Sequence, residues 1–430
     1  MFATGGLIFA SSLGVSPGME IQIDYTLDTH GFFDQPGSRA ALRAVCDYFE
    51  GAFGDSLARI DPSEWPGNTW TAKVVNPATG SDASFPRKVV PADTFILYAG
   101  GRPNLGSAGE GGPAFYSASG SGPMALRWFD LLDSRGQAGA LATPPTDFGP
   151  WGGSISFNSS HAWNFSLTTP SGTAANNFVS LAIHEMCHVL GMGTTDSWDT
   201  FVGFAGGGLG FTGQNATAAY GGMIPLHIDG SHWRDDGVCV FGTGYVSGNP
   251  LNILSKTIAQ FGVPAGIDQI AIMDPSSCNT GSYLEVMTVL DRAALADIGW
   301  ESRPPPAKAP SLALGVHPGS GHVTLSWKAE PGRTYQIQEA SVLGGWRNLG
   351  DPVTNQSGTA SYTHHSPPKT GNFYRVVVDP PEASPAVSAA ASPPPQVEDE
   401  DSTSFGEIQT VQTQPRMVFG CATCAGHQSH

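Results

Sequence analysis

Two histidines and a glutamate stand at a spacing that suits hydrolysis: His184-Glu185-Met186-Cys187-His188. Along a helix, residues four apart lie one above the other, so both imidazoles can reach one metal ion while Glu185 sits beside them. Zinc is the metal expected, because its catalytic sites take such nitrogen donors and keep one position open for water. A carboxylate held near the ion without ligating it can accept the water's proton. Val179, Ile183, Met186, Cys187 and Leu190 predict one apolar helix face away from the histidines, which makes Cys187 a core residue rather than a ligand. Gly191 falls where the helix must stop, and a left-handed cap there turns the chain back toward the metal.

A catalytic zinc needs a third protein ligand. The segment around the motif resembles the metzincin clan of zinc peptidases. In the clan's commonest pattern, HExxHxxGxxH or D, the third ligand comes three residues after the glycine, but that position is Thr194, which cannot serve. Leishmanolysin-like enzymes and related bacterial exported peptidases instead carry an insertion and place the third histidine tens of residues later, often as His-Trp. The resemblance therefore implies His232, in Gly230-Ser-His-Trp-Arg234, with His227, Asp196 and Asp199 as competitors. It extends to Gly191-Met-Gly-Thr-Thr-Asp-Ser-Trp198, to Phe211 through Gly222, and to Ile272-Met-Asp-Pro275, where Met273 resembles the methionine of the turn beneath the zinc. Val286 to Trp300 resembles the helix that closes such domains.

The resemblance implies a zinc-dependent endopeptidase with Glu185 as general base and a polypeptide substrate laid along an edge strand at Ser154-Ile155-Ser156. It also implies a monomer and secretion or display at the cell surface by bacterial-type export. Some clan members stabilise the oxyanion with a tyrosine just after the turn methionine; Asp274 and Pro275 follow here, so no residue takes that role. Calcium is compatible with such a domain, but no residue pattern specifies it. The rival expectation is a non-catalytic exported protein that keeps the peptidase fold and binds carbohydrate or protein through exposed aromatics such as Trp327, Tyr335 and Trp346.

The motif must be carried by a larger fold. Residues 20–29 alternate apolar and polar side chains, the period of a half-buried strand, and 39–60 place Ala41, Leu42, Val45, Phe49, Phe53 and Leu57 on one helix face. Further strands are expected at 70–75, 94–99 and 154–157, with Gly106 to Pro113 as a glycine-rich connection. This order predicts an α+β, metzincin-like domain over 20–302, a twisted sheet carrying the active-site helix. Residues 303–311 read as a stiff proline-rich linker. Short β runs at Val323–Trp327, Thr334–Gln338, Ala360–Thr363 and Phe373–Val378 predict a small all-β sandwich over 312–380, similar to fibronectin type III modules. From 381 to 430 the proline, alanine, serine and acidic content predicts a disordered tail.

A net charge of -17 with only 20 Lys and Arg excludes a nucleic-acid surface, which needs clustered cations. No apolar run is long enough to cross a bilayer. Residues 1–19 contain an apolar stretch at Gly6 to Ser16 without the usual preceding basic residue, which reads equally as a leader remnant, as sequence from a misassigned start, or as a short buried strand. The six cysteines permit disulfides, Cys239–Cys278 being the first guess, and Cys421-Ala-Thr-Cys424 lies in the tail.

Overall fold

The computed structural model describes residues 18–303 apart from 136, 138–146, 172–174, 206–207, 236–251 and 276–282. It further describes 312–378 apart from 318, 320, 330–333, 341–346, 355–357 and 368–372, together with 408–413 and 418–419. The fold is mixed α/β, with many strands and few helices. The chain falls into two compact units, one of Gly18–Arg303 with Ser402–His430 and one of Met1–Pro17 with Pro304–Asp401.

In chain order the first unit begins with β1 (Glu20–Asp24), α1 (Ser38–Ala52), β2 (Thr69–Val75), β3 (Asp82–Pro86), β4 (Thr94–Arg102), β5 (Gly109–Pro113) and β6 (Phe115–Gly120). It continues with α2 (Pro123–Ser134), β7 (Gly152–Asn158) and α3 (Phe178–Val189). β1, β4 and β7 pair in parallel, and β5 adds antiparallel to β7 with Gly111 opposite Ile155. A parallel core strand must be apolar on both faces. β4 meets this by alternation: Phe95, Leu97 and Ala99 pack with α1 and α3 in one core, while Ile96 and Tyr98 pack with Trp70, Trp128 and Trp151 in another. The second core lies against a sheet in which β2 pairs with β3 and β6.

Several elements depart from the sequence expectation. α1 ends at Ala52 rather than near residue 60, because Phe53 is extended and Gly54 N–H donates to the Glu301 carbonyl at 2.8 Å. Phe53 and Leu57 are still buried, but from non-helical chain. The expected connection Gly106 to Pro113 contains a strand, β5. The proposed edge strand at Ser154, Ile155 and Ser156 is corrected outright: these residues lie in β7, with both edges taken by β4 and β5, so no backbone group is left for a peptide.

In the second unit, Leu312–Val316, Val323–Ala329 and Gly358–His364 form one antiparallel sheet, and Thr334–Ala340 pairs with Phe373–Val378 in another. Leu325, Trp327, Tyr335, Ile337 and Val376 share one core. Trp327 and Tyr335 are thus packing residues and cannot grip a carbohydrate; Trp346 lies outside the described residues. The tail is not structureless throughout, since Ile408–Thr413 pairs with β6 and Val418–Phe419 with β5. Cys239, Cys278, Cys421 and Cys424 lie outside the described residues, while Cys46 and Cys187 are buried free thiols. Among the described residues no helix is long and apolar enough to cross a membrane.

Candidate metal centre

All twelve residues of α3 are buried, so the helix has no solvent face. One side packs in the main core through Val179, Ile183, Met186 and Cys187, and burial pushes the Cys187 thiol far up. The other side carries His184 and His188. The helix ends in a Schellman arrangement: Gly191 N–H donates to the His188 carbonyl and Met192 N–H to the Cys187 carbonyl, both at 3.0 Å. The turn leaves the Met192 carbonyl where His188 Nδ1–H can donate to it at 2.7 Å.

Between this turn and His232 the chain forms further small elements. Among them Val202–Ala205, Gly208–Phe211 and Ile224–Pro225 form a small antiparallel sheet. Trp198 stacks on Phe211 at 4.2 Å and donates its Nε1–H to the Gly230 carbonyl at 2.9 Å. Beside it the chain comes close to the helix end: Ser231 Oγ–H donates to the Gly193 carbonyl at 2.9 Å. At Gly193, with φ +71°, a Cβ would lie 2.5 Å from the Ser231 carbonyl oxygen, so both the backbone conformation and the contact call for glycine. This close approach brings His232 to the α3 pair.

The ligand atoms of His184, His188 and His232 all lie within 4.8 Å of one another, and the group is the metal-competent cluster found among the described residues. His227 is not part of it, and Asp196 and Asp199 are exposed on a short helix nearby. Each ring is fixed from behind. His184 Nδ1–H donates to the Ile272 carbonyl at 2.7 Å and His232 Nδ1–H to Asp229 Oδ2 at 2.8 Å, alongside the His188–Met192 bond. Since each partner is an acceptor, each Nδ1 carries the proton and each Nε2 presents a lone pair.

His188 and His232 therefore point lone pairs at each other across 3.1 Å, and the buried His184 Nε2 has no hydrogen-bond partner. Three nitrogens held around one zinc at about 2.0–2.1 Å and tetrahedral angles would stand about 3.3 Å apart, so the donor set fits such an ion. Burial, helped by the neighbouring His232, lowers the His184 pKa to about 3. His188 is lowered as well, by burial and by both other rings. Burial alone would raise the Asp229 carboxyl, but its hydrogen bonds, first of all the one from His232, hold it well below the ordinary range.

Met273 is fully buried and follows Ile272, whose carbonyl orients His184. Its carbonyl accepts Trp233 N–H at 2.9 Å, while its own N–H and that of Ile272 donate to Asp291. Glu185 is fully buried against β5: a Cβ on Gly109 would lie 3.0 Å from Glu185 Oε1, and one on Gly111 would lie 2.3 Å from the Glu185 carbonyl oxygen. The strand can touch the helix there only because it carries no side chain on that face. The sequence reading missed Asp229, Asp291 and β5. Asp229 stands three residues before His232, and Thr288-x-x-Asp291 forms the capping box of the helix Val289–Asp297, a signal that was available. Comparison of the chain with protein families, curated proteins and solved structures returns no match.

Proposed function

We propose that this protein is a zinc-dependent endopeptidase of the metzincin kind, with His184, His188 and His232 as ligands and Glu185 as general base. The observation that carries the reading is the convergence of three buried imidazoles, each with Nδ1–H satisfied and Nε2 turned inward, beside one buried carboxylate. A nitrogen-only donor set suits zinc better than calcium or magnesium, which prefer oxygen.

When bound, zinc would bring the pKa of its water toward neutrality and polarise the scissile carbonyl. The chain's own groups do the rest. Glu185 takes the water's proton and returns it to the departing amine, and its buried position against β5 keeps the carboxylate from wandering. Met273 and Asp291 hold the floor on which His184 and His232 are seated. β5 pairs with β7 on one side and with Val418–Phe419 on the other, and it is along this second edge, in place of the tail strand, that an extended polypeptide substrate lies. An extracellular setting and action as a monomer belong to the same proposal.

The test is elemental analysis together with cleavage of casein, an unstructured polypeptide, by wild type and Glu185→Gln. The expected result is one zinc in each protein and chelator-sensitive cleavage by the wild type alone. A folded wild type that takes up no zinc, or a Glu185→Gln variant that cleaves as well as the wild type, would overturn it.

A further inference from the structure

β5 does not end its sheet in open solvent. Val418 pairs with Gly111 and Phe419 with Glu110, antiparallel. Upstream, Ile408, Gln409, Gln412 and Thr413 pair with Gly120, Ser119, Ser117 and Tyr116 of β6, also antiparallel, with an irregularity between Gln409 and Gln412. β5 and β6 are separated by Ala114 alone, so the two pairings form one track. The pairs lie along it from Gly120 to Glu110, the last of them next to Gly109, the residue packed against the Glu185 carboxylate.

The chemistry of both partners fits strand addition. β5, Gly-Glu-Gly-Gly-Pro, offers main-chain groups and little side-chain surface, so it accepts a strand with few demands on sequence. Ile408-Gln-Thr-Val-Gln-Thr413 contains β-branched residues and no charge, the composition of a strand. An uncovered edge is a site for pairing with any extended chain, and covering it is how such an edge is kept from doing so.

We propose that Ile408–Thr413 and Val418–Phe419 are a built-in occupant of the β5–β6 edge and compete there with extended polypeptide. The docking stands on the pairing alone. Its inhibitory consequence rests on the peptidase reading given above. The competent fraction of molecules is the fraction with the tail undocked, so loosening the tail raises turnover and supplying it in excess lowers turnover.

The experiment uses the full chain and a Gln409→Pro/Val418→Pro double variant, since proline removes the N–H that a ladder needs. Ser388→Pro, between the sandwich and the tail strands, is the control. In native-state hydrogen exchange, amides of 109–120 are expected to exchange about tenfold faster in the double variant and unchanged in the control. A synthetic peptide of residues 408–419 should restore protection. Casein cleavage is expected to rise about threefold in the double variant and to fall again with the peptide. Unchanged exchange overturns the docking, as does wild-type protection that grows with protein concentration, which would assign the strand to a second copy. Faster exchange without faster cleavage, in a protein that cleaves, overturns the competition. If neither protein cleaves casein, the peptidase reading falls, and the exchange result still decides the docking.

Discussion

The indole Nε1–H of Trp233 donates to Asp291 Oδ1 at 2.8 Å, with both residues fully buried. The same carboxylate accepts from Ile272 N–H, Met273 N–H and both donors of Thr288. One side chain thus ties the neighbour of His232, the carbonyl that orients His184, and the start of the helix Val289–Asp297. Burial raises the Asp291 pKa against these bonds, so the donors are what keep the carboxylate tolerable.

Trp233→Phe keeps the ring packing and deletes one donor. The cost to folding is expected to be about 1–3 kcal/mol, because an acceptor in a dry site loses its partner. Zinc affinity should fall about tenfold, as it does when a group supporting a metal ligand is removed. Denaturant unfolding of the zinc-free protein and chelator competition measure the two effects separately. A stability loss with unaltered zinc affinity would show that the bond serves the fold and not the ligands.

Asp229 holds His232 by the outward nitrogen. Asp229→Ala removes the acceptor that fixes the Nδ1–H tautomer and ring direction, and zinc affinity is expected to drop about 10–100-fold. Asp229→Asn keeps an acceptor oxygen but not the charge, and should lose less. Equal losses in the two variants would mean that the charge, not the orientation, is what His232 needs.

What was legible in the sequence is what is local. The spacing of His184, Glu185 and His188 along one helix and the position of Gly191 at its end need no knowledge of the rest of the chain. His232 could be singled out only through a resemblance, yet the structure brings it to the pair, and the reason is the contact between Gly193 and Ser231, which no local pattern encodes. Gly-Glu-Gly-Gly-Pro has no strand propensity and reads as a loop; it is a strand because only glycine lets a backbone lie against Glu185. The resemblance implies an edge position for Ser154 to Ser156, but strand order is set by pairing across the fold, and β7 is interior.

The glycines of β5 give a graded test of how Glu185 is held. Gly111→Ala puts a methyl group 2.3 Å from the Glu185 carbonyl oxygen, on backbone that cannot yield, so β5 must move off α3. An overpacking cost of about 1–3 kcal/mol is expected. Gly109→Ala meets the Glu185 carboxylate at 3.0 Å instead and should be milder for folding. Both are expected to lower kcat for casein about tenfold or more with zinc retained, since a small misplacement of a general base is costly. Full activity in Gly111→Ala would mean that β5 does not position Glu185.

Asp55 supplies a pH test that does not involve the three histidines. Its Oδ1 accepts Glu301 N–H at 3.0 Å, but Oδ2 is buried without a hydrogen bond, and burial raises the pKa from 3.8 to about 6 despite the backbone donors. A carboxyl with a raised folded pKa binds its proton more tightly in the native state. Between pH 3.8 and about 6 the native state therefore keeps a proton that the unfolded state has released, and stability falls as pH rises through that window. Above it the ionised group costs about 3 kcal/mol. Asp55→Asn keeps the acceptor for Glu301 and has no charge to bury. Its melting temperature should exceed that of the wild type by several degrees at pH 7.5 and match it near pH 3.5, the difference opening between these values. A constant difference across the range would show that Asp55 titrates normally and that its burial is compensated.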